Sequence, residues 1–378
     1  MNGKKKVVHI ITGLTNGGAE AVLYRLCISD KRNEHVVISL MDQGFYGPKL
    51  LSAGIPVYTL DMPRGRITLH GCIKLWKLIR AQSPAVVQTW MYHADLLGGL
   101  VARLAGLSAV VWGVHHTVLE PGKSKRTTIM IARVLAKLSN FVPKYIAVCA
   151  KKSQSVHAAL GYAAGKMVVV PNGYDLGNFV RNDQLRRTLR AEWDIPDEMP
   201  LLGMVSRYDP QKDHKNLIRA LADLTASGKP FRCVLVGPGM TADNAELTRE
   251  IGNAGLAQEV LLLGPRNDIP AVMSALDIHL LSSSAEAFPN VLAEAMACGT
   301  PCVTTDVGDA ALIVGNTGWV VPPSQSAALA DAIRVALTSL CGDDWHLRQA
   351  AARQRVEENF SLEKMIVAYD SIWQRASS

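Results

Sequence analysis

The chain has no stretch approaching about 18 uninterrupted apolar residues, which excludes a transmembrane helix. It has no low-complexity tract and no fixed-period repeat, so neither a disordered array nor a solenoid fits. Its seven cysteines, Cys27, Cys72, Cys149, Cys233, Cys298, Cys302 and Cys341, are scattered. They form no Cys-x-x-Cys pair and no Cys/His cluster with zinc spacing, so free buried thiols in a reducing cytosol are expected and no metal site is. No basic–aromatic module points to nucleic acid as a partner. No Asp-x-Asp motif follows a strand, so the usual carboxylates of a metal-held diphosphate are missing. The Gly-x-Gly-x-x-Gly dinucleotide fingerprint is missing as well.

What is present is a core-forming chain of 378 residues, 48% hydrophobic and 19% charged, with mean hydropathy +0.12. Such a length favours two domains. Met1-Asn-Gly-Lys-Lys-Lys followed by Val7-Val-His-Ile-Ile11 superficially resembles a secretory signal. The apolar run is too short, holds His9 and leads into a glycine loop, so a first buried strand and a cytoplasmic chain are expected. Continuous Val/Ile-rich runs then alternate with amphipathic segments, as at Val86–Thr89, Ala109–Val114, Leu201–Val205 and Ile278–Leu281. Strands without polar alternation are buried on both faces, which predicts parallel sheets covered by helices. The pattern restarts near Leu201, after a polar stretch, Asp183–Pro200, that reads as part of a hinge region.

The net charge of +7 is a cancellation. Residues 1–182 carry 23 Lys+Arg and 8 Asp+Glu, 23 − 8 = +15, and residues 183–378 carry 17 and 25, 17 − 25 = −8. Basic residues gather at Lys74, Lys77 and Arg80 and again at Lys123, Lys125, Arg126, Arg133 and Lys137. With Ile129, Met130, Ile131, Val134 and Leu135, the second group reads as a basic amphipathic helix suited to an anionic membrane surface.

Three motifs carry chemistry. Gly13-Leu-Thr-Asn-Gly-Gly-Ala-Glu20 follows the first strand, where glycines let backbone N–H groups approach an anion, although a tight structural turn explains it equally well. Arg207 and Lys212 follow strand Leu201–Val205, placing two cations suited to a pyrophosphate at a strand's carboxyl end. Ser282-Ser-Ser-Ala-Glu-Ala-Phe-Pro-Asn-Val-Leu-Ala-Glu294 sets Glu286 in a loop and Glu294 about one turn into a helix. Pro289 suits the first helical position and Gly299 the residue past the helix end.

Over nearly its whole length the sequence resembles a glycosyltransferase of family 4, the retaining, nucleotide-sugar-dependent group. The Glu286–Glu294 motif is the most specific part. Val170-Pro-Asn-Gly-Tyr-Asp-Leu-Gly-Asn-Phe179, Leu263-Gly-Pro-Arg-Asn-Asp-Ile269 and Gly17-Gly18-Ala19-Glu20 are similar to other family segments. The resemblance implies an α/β, GT-B architecture: two Rossmann-like, doubly wound parallel-sheet domains facing a cleft. Residues 1–175 would bind acceptor and 176–355 the nucleotide-sugar donor, with 356–378 a helix packing back on the first domain.

By the same resemblance Arg207 and Lys212 would bind the donor diphosphate, Glu286 the sugar hydroxyls and Glu294 the ribose. Phe288, Pro289, Asn290 and Val291 would meet sugar and phosphate, Arg266 would lie near the base, and Gly17 and Gly18 would admit the phosphate. The family's cleft histidine would be His116, the favoured choice, or His115. Either also fits a structural histidine. His93 would help shape the acceptor site. Asp213 departs from the pattern, because the family usually has glycine after the lysine.

The implied reaction is metal- and cofactor-independent retaining transfer of a hexose or N-acetylhexosamine from a UDP-sugar. The implied acceptor is a polyprenyl-diphosphate-linked saccharide in cell-surface polysaccharide synthesis, at the inner face of the cytoplasmic membrane. A sugar-nucleotide epimerase or phosphorylase of this fold, and a non-catalytic sugar- or nucleotide-binding scaffold, are the alternatives. Diphosphate release with donor and acceptor present separates the scaffold from the enzyme.

Overall fold

The computed structural model describes residues 4–117, 119, 125–226 and 228–378. Two units are resolved, the first comprising residues 1–173 and 362–378 and the second residues 174–361. The chain thus returns to the first unit at Leu362, after a helix beginning at Trp345 that belongs wholly to the second.

The first unit holds seven strands: β1 (Lys6–Ile11), β2 (Glu34–Ser39), β3 (Val57–Thr59), β4 (Val86–Trp90), β5 (Val110–Val114), β6 (Tyr145–Val148) and β7 (Met167–Val169). All pairings are parallel, in the order β3-β2-β1-β4-β5-β6-β7. The connecting helices are α1 (Gly18–Ser29), α2 (Gly47–Ser52), α3 (Leu69–Gln82), α4 (Tyr92–Leu104), α5 (Arg126–Leu138) and α6 (Lys151–Ala159). Adjacent strand residues enter different cores. Val8 and Ile10 pack with Leu75, Leu97 and Leu135 on one face, Val7 and Ile11 with Leu23 and Leu26 on the other. This explains why the strands read as continuous apolar runs.

The second unit holds β8 (Leu201–Val205), β9 (Arg232–Val236), β10 (Val260–Gly264), β11 (Ile278–Leu281), β12 (Cys302–Thr305) and β13 (Trp319–Val321). Its order is β10-β9-β8-β11-β12-β13, again all parallel. Its helices are α7 (Asp183–Glu192), α8 (His214–Thr225), α9 (Ala245–Asn253), α10 (Ile269–Ala275), α11 (Asn290–Ala297), α12 (Ala310–Val314), α13 (Ser326–Leu340) and α14 (Trp345–Asn359). The final helix, α15 (Leu362–Ser377), buries Met365, Ile366, Tyr369, Ile372 and Trp373 in the first unit's core.

Two expectations are corrected. The Asp183–Glu192 stretch, read as hinge, is helix α7, capped by the Asn182 side chain accepting from Leu185 N at 2.9 Å. Its charges mislead because Arg186 and Arg190, one turn apart, both turn inward onto Asp277. The segment read as a basic amphipathic helix is α5, but of its apolar set Ile129 and Leu135 are buried. Leu135 is needed to cover the sheet, and only Met130 and Val134 of that apolar set are exposed. Lys123 lies outside the described residues.

A buried polar chain ties α15 to the sheet. Trp90 Nε1 donates to His9 Nδ1 at 3.1 Å, His9 Nε2 lies 2.9 Å from His35 Nδ1, and His35 Nε2 lies 3.1 Å from Asp30 Oδ2. An indole nitrogen only donates, so His9 Nδ1 accepts, His9 Nε2 donates to His35 Nδ1 and His35 Nε2–H donates to Asp30. Asn33 then bridges Asp30 and Asp370 of α15, at 2.9 and 3.0 Å. Among the described residues His9, Cys27 and His35 are also the one trio close enough to hold a metal ion. The tautomers dictated by Trp90 leave His9 without a free lone pair for it, and burial pushes the Cys27 thiol well up, so the trio serves as structure.

Burial depresses His9, His157 and His214, the last two to about 4, and holds His279 at about 3. Each titrates near 6.5 in the unfolded chain. The unfolded state therefore binds protons that the folded state refuses, and stability present above pH 6.5 is lost as pH falls. For fully buried His157 the loss by pH 4 is about 3 kcal/mol. Asp95, raised to about 8 by burial, opposes this but is outnumbered. Thermal melts should show a Tm falling continuously below pH 6.5; a Tm constant from pH 6.5 to 4.5 would contradict these burials.

Candidate functional site

In doubly wound sheets, loops on either side of the strand-order reversal diverge and leave room for a ligand at the carboxyl ends. In the second unit the reversal lies between β8 and β11. The loop after β8 carries Arg207 and Lys212, and the loop after β11 carries Glu286. In the first unit it lies between β1, followed by Gly17 and Gly18, and β4, followed by His93.

In the second unit, Lys212 closes a one-turn 3-10 helix, Pro210–Lys212, whose start is capped by Asp209 accepting from Gln211 N at 3.0 Å. Asp213 then adopts the left-handed conformation, φ 49° and ψ 53°. That is the glycine-like geometry the family's residue would supply. Asp213 offsets its strain by capping α8, accepting from Asn216 N at 3.3 Å, and by accepting from Ser324 Oγ at 3.0 Å. Asp213→Gly should therefore leave Tm nearly unchanged. Asp213→Ala, which keeps the strain and loses the cap, should cost about 1–2 kcal/mol in thermal or denaturant unfolding.

The turn delivers the Lys212 ammonium directly onto Glu286 Oε1, and both side chains are 15% exposed. Ser283 Oγ donates to the same carboxylate oxygen at 2.8 Å. Backbone links lock the two loops together: Ser282 Oγ donates to Lys212 O at 2.8 Å, and Ser284 N to Gln211 O at 2.8 Å. The loop after β12 braces the other side, with Asp309 N donating to Ala287 O at 3.1 Å. Gly308, at φ +57°, lies where a Cβ would stand 2.8 Å from Glu286 O.

Pro289 is the N-cap of α11 rather than its first residue. No side-chain cap bond is made at this helix start, three residues after Glu286, and a helix N-terminus without one suits an anion. Asn290 Oδ1 accepts from Tyr174 OH at 2.5 Å, Phe288 is buried edge-to-face on Phe360 at 5.6 Å, and Val291 and Glu294 are half-buried. Gly299, at φ +70°, ends the helix as its position suggested.

Arg207 is not brought to the pair; it is exposed and donates to Asp209 Oδ2 at 3.1 Å. Arg266 is committed locally. It grips Asp268 through two bonds of 2.8 and 2.7 Å, reaches Glu192 at 3.0 Å and lies over the Trp193 ring.

In the first unit, Gly17 caps α1 at φ −130°, so no left-handed backbone requires glycine there. The Glu20 carboxylate folds back against Gly17 while accepting from Thr15 Oγ1 at 2.9 Å, so a Cβ there would only make that side-chain end shift. Gly18 opens the helix. His115 stacks on Trp90 at 5.0 Å, its Nε2 is buried without a partner, and burial lowers it to about 4. His116 packs edge-on to Tyr92 and accepts Ser153 Oγ on its carbonyl at 2.9 Å. His93 is exposed on the first turn of α4. Ser283, Tyr174 and Gly308 were not singled out as site residues. Tyr174 sits inside the quoted Pro-Asn-Gly-Tyr segment, and Gly308 is signalled by its loop position after a strand.

Residues 186–354 match the profile described as glycosyl transferases group 1, and residues 16–178 the one described as glycosyltransferase family 4. The chain belongs to glycosyltransferase family 4. It is an α/β protein of the GT-B fold and a glycosyltransferase. EpsF of Bacillus subtilis is 28% identical over 318 residues, 81% of this chain and 80% of that one. The UDP-Gal:α-D-GlcNAc-diphosphoundecaprenol α-1,3-galactosyltransferase of Escherichia coli is 26% identical over 253 residues, covering 66% and 64% of the two chains. The crystal structure of Anabaena HepE with UDP and glucose superposes with a TM-score of 0.84 at 23% identity, covering 98% of this chain and 99% of that one.

Proposed function

We propose that the chain transfers a hexose or N-acetylhexosamine from a UDP-sugar to a polyprenyl-diphosphate-linked saccharide, retaining anomeric configuration. The observation that carries the donor half is the Lys212–Glu286 pair at the β8/β11 reversal, beside the uncapped start of α11. Lys212 and the α11 N–H groups take the diphosphate and the charge that builds on it as the glycosidic bond breaks. Arg207 supplies a second cation from the loop that follows β8. Glu286 and Glu294 orient sugar and ribose hydroxyls, with Asn290 and the Phe288–Val291 backbone lining the sugar.

Fixed cations and a helix dipole do the neutralising that a metal ion would otherwise do, so transfer proceeds without one. This reading assigns no carboxylate as nucleophile; attack on the same face, assisted by the departing diphosphate, would account for retention. On the acceptor side His116 or His115, with His93, faces the incoming hydroxyl. Support for UDP comes from the HepE complex, and support for a lipid diphosphate acceptor from the galactosyltransferase relative and the basic first half.

A screen of UDP- and GDP-sugars with an undecaprenyl-diphosphate saccharide, reading nucleotide release and the product's anomeric proton coupling, tests the proposal. UDP release giving an α product from an α-linked donor is expected. An inverted product, or a glycosyl-enzyme trapped on a carboxylate, overturns the mechanism. Release no greater than background with every donor leaves the scaffold reading.

A further inference from the structure

Helices α3, α4 and α5 lie side by side on one face of the first unit's sheet, with α4 packed between the other two. Their inner sides supply Leu75, Leu97 and Leu135 to a single core. That burial fixes which residues point outward.

On α3 the outward set is Leu69, Ile73 and Trp76 with Lys77 and Arg80, the Arg80 guanidinium lying over the Trp76 ring. On α4 it is Leu100 and Leu104 with Arg103. On α5 it is Met130 and Val134 with Arg126, Arg133 and Lys137. The three helices contain seven cations and one acid, Asp95, which is buried. Among the described residues, Lys74 alone of these cations has an acidic partner, Asp61, at 3.8 Å.

Each of the three helices thus presents large apolar side chains between unneutralised cations on the same outer side. Single exposed apolar side chains are ordinary on a solvated face, but here leucine, isoleucine, tryptophan and methionine recur beside cations on three adjacent helices. Anionic lipid headgroups over an acyl boundary satisfy both chemistries at once.

We infer that the outer face of α3, α4 and α5 is one docking platform for an anionic lipid bilayer. The platform is broader than the single amphipathic helix suggested by the sequence. The inference rests on the lipid-linked acceptor proposed above for its purpose, but its test needs no catalysis.

The full chain is floated with vesicles of phosphatidylcholine alone and with vesicles containing roughly 30% phosphatidylglycerol, at low and high salt. The wild type should bind the anionic vesicles at least tenfold better than the neutral ones, and lose binding in high salt. Leu69→Ser/Leu104→Ser/Met130→Ser removes apolar residues that are 78%, 79% and 60% exposed, so Tm should hold while anionic-vesicle binding drops about tenfold or more. Lys77→Glu/Arg133→Glu should do the same.

Equal recovery on both vesicles, or full binding by the triple variant, overturns the platform. So does self-association of the chain that the same variants abolish, since the face would then bind a second copy. UDP release with a short-chain, detergent-free acceptor is assayed in parallel. Release without vesicle binding sinks the platform alone, and vesicle binding without release sinks the transferase reading alone.

Discussion

Lys212→Ala is expected to lower turnover at least about 10²-fold, the scale of losing one charge-stabilising donor at a leaving group. Two consequences combine in that variant. On the proposed mechanism the departing diphosphate loses a fixed cation, and Glu286, only 15% exposed, loses the ammonium paired with it. Ser283 still donates to Glu286 at 2.8 Å, so the loop keeps a partial anchor and the fold should survive with a modest drop in Tm.

Glu286→Gln separates chemistry from structure. The amide keeps the shape and leaves Lys212 free of a competing carboxylate, so UDP should bind as tightly as to wild type or more tightly. Turnover should still fall about 10²-fold, because the sugar hydroxyls lose their charged acceptor. Steady-state kinetics beside nucleotide titrations show the split. Wild-type turnover in either variant removes this pair from the reaction.

The largest expected effect on stability lies away from the site. Arg190 is 1% exposed and donates to the carbonyls of Ala275, Pro196 and Asp197 at 3.2, 2.8 and 3.2 Å, as well as to that of Met199. Its Nη1 also lies 3.4 Å from Asp277 Oδ2, which accepts from Leu201 N at 2.8 Å. Arg186 meets the other Asp277 oxygen at 2.7 Å. One guanidinium thus joins α7, the start of β8 and the turn into β11, which are the elements that frame the Lys212–Glu286 loops.

Arg190→Ala removes a buried partner and strands several carbonyls, at a cost of about 3–5 kcal/mol. For a unit of this size that lowers Tm by roughly 10 °C or more. Arg190→Lys restores charge but not the planar fork, and should recover only part of the loss. A Tm within two or three degrees of wild type for Arg190→Ala would show that the network does not hold α7 in place.

The strands were legible because both faces are covered: Val7 and Val8 serve opposite cores, and no polar alternation was needed to find them. The Glu286–Glu294 segment was legible because its punctuation is local, a proline before α11 and a left-handed Gly299 after it. Helix α7 was not, because its burial depends on Asp277, some ninety residues away, and nothing within the segment reveals that two arginines turn inward. The face of α5 was misjudged for a related reason. Periodicity shows that one side is apolar, but Leu135 was claimed by the sheet and only the neighbouring helices show what is left outside. Asp213 was read as a departure from the family, and the left-handed backbone shows how an aspartate fills a glycine's place by capping α8.

The central claim is that the β8/β11 reversal of the second unit is the nucleotide-sugar donor site, and titration of UDP into the full chain tests it most directly. One UDP should bind per chain, at least tenfold more weakly to Lys212→Ala and undiminished in Glu286→Gln. Absence of UDP binding to the wild type, or equal binding by Lys212→Ala, would contradict it.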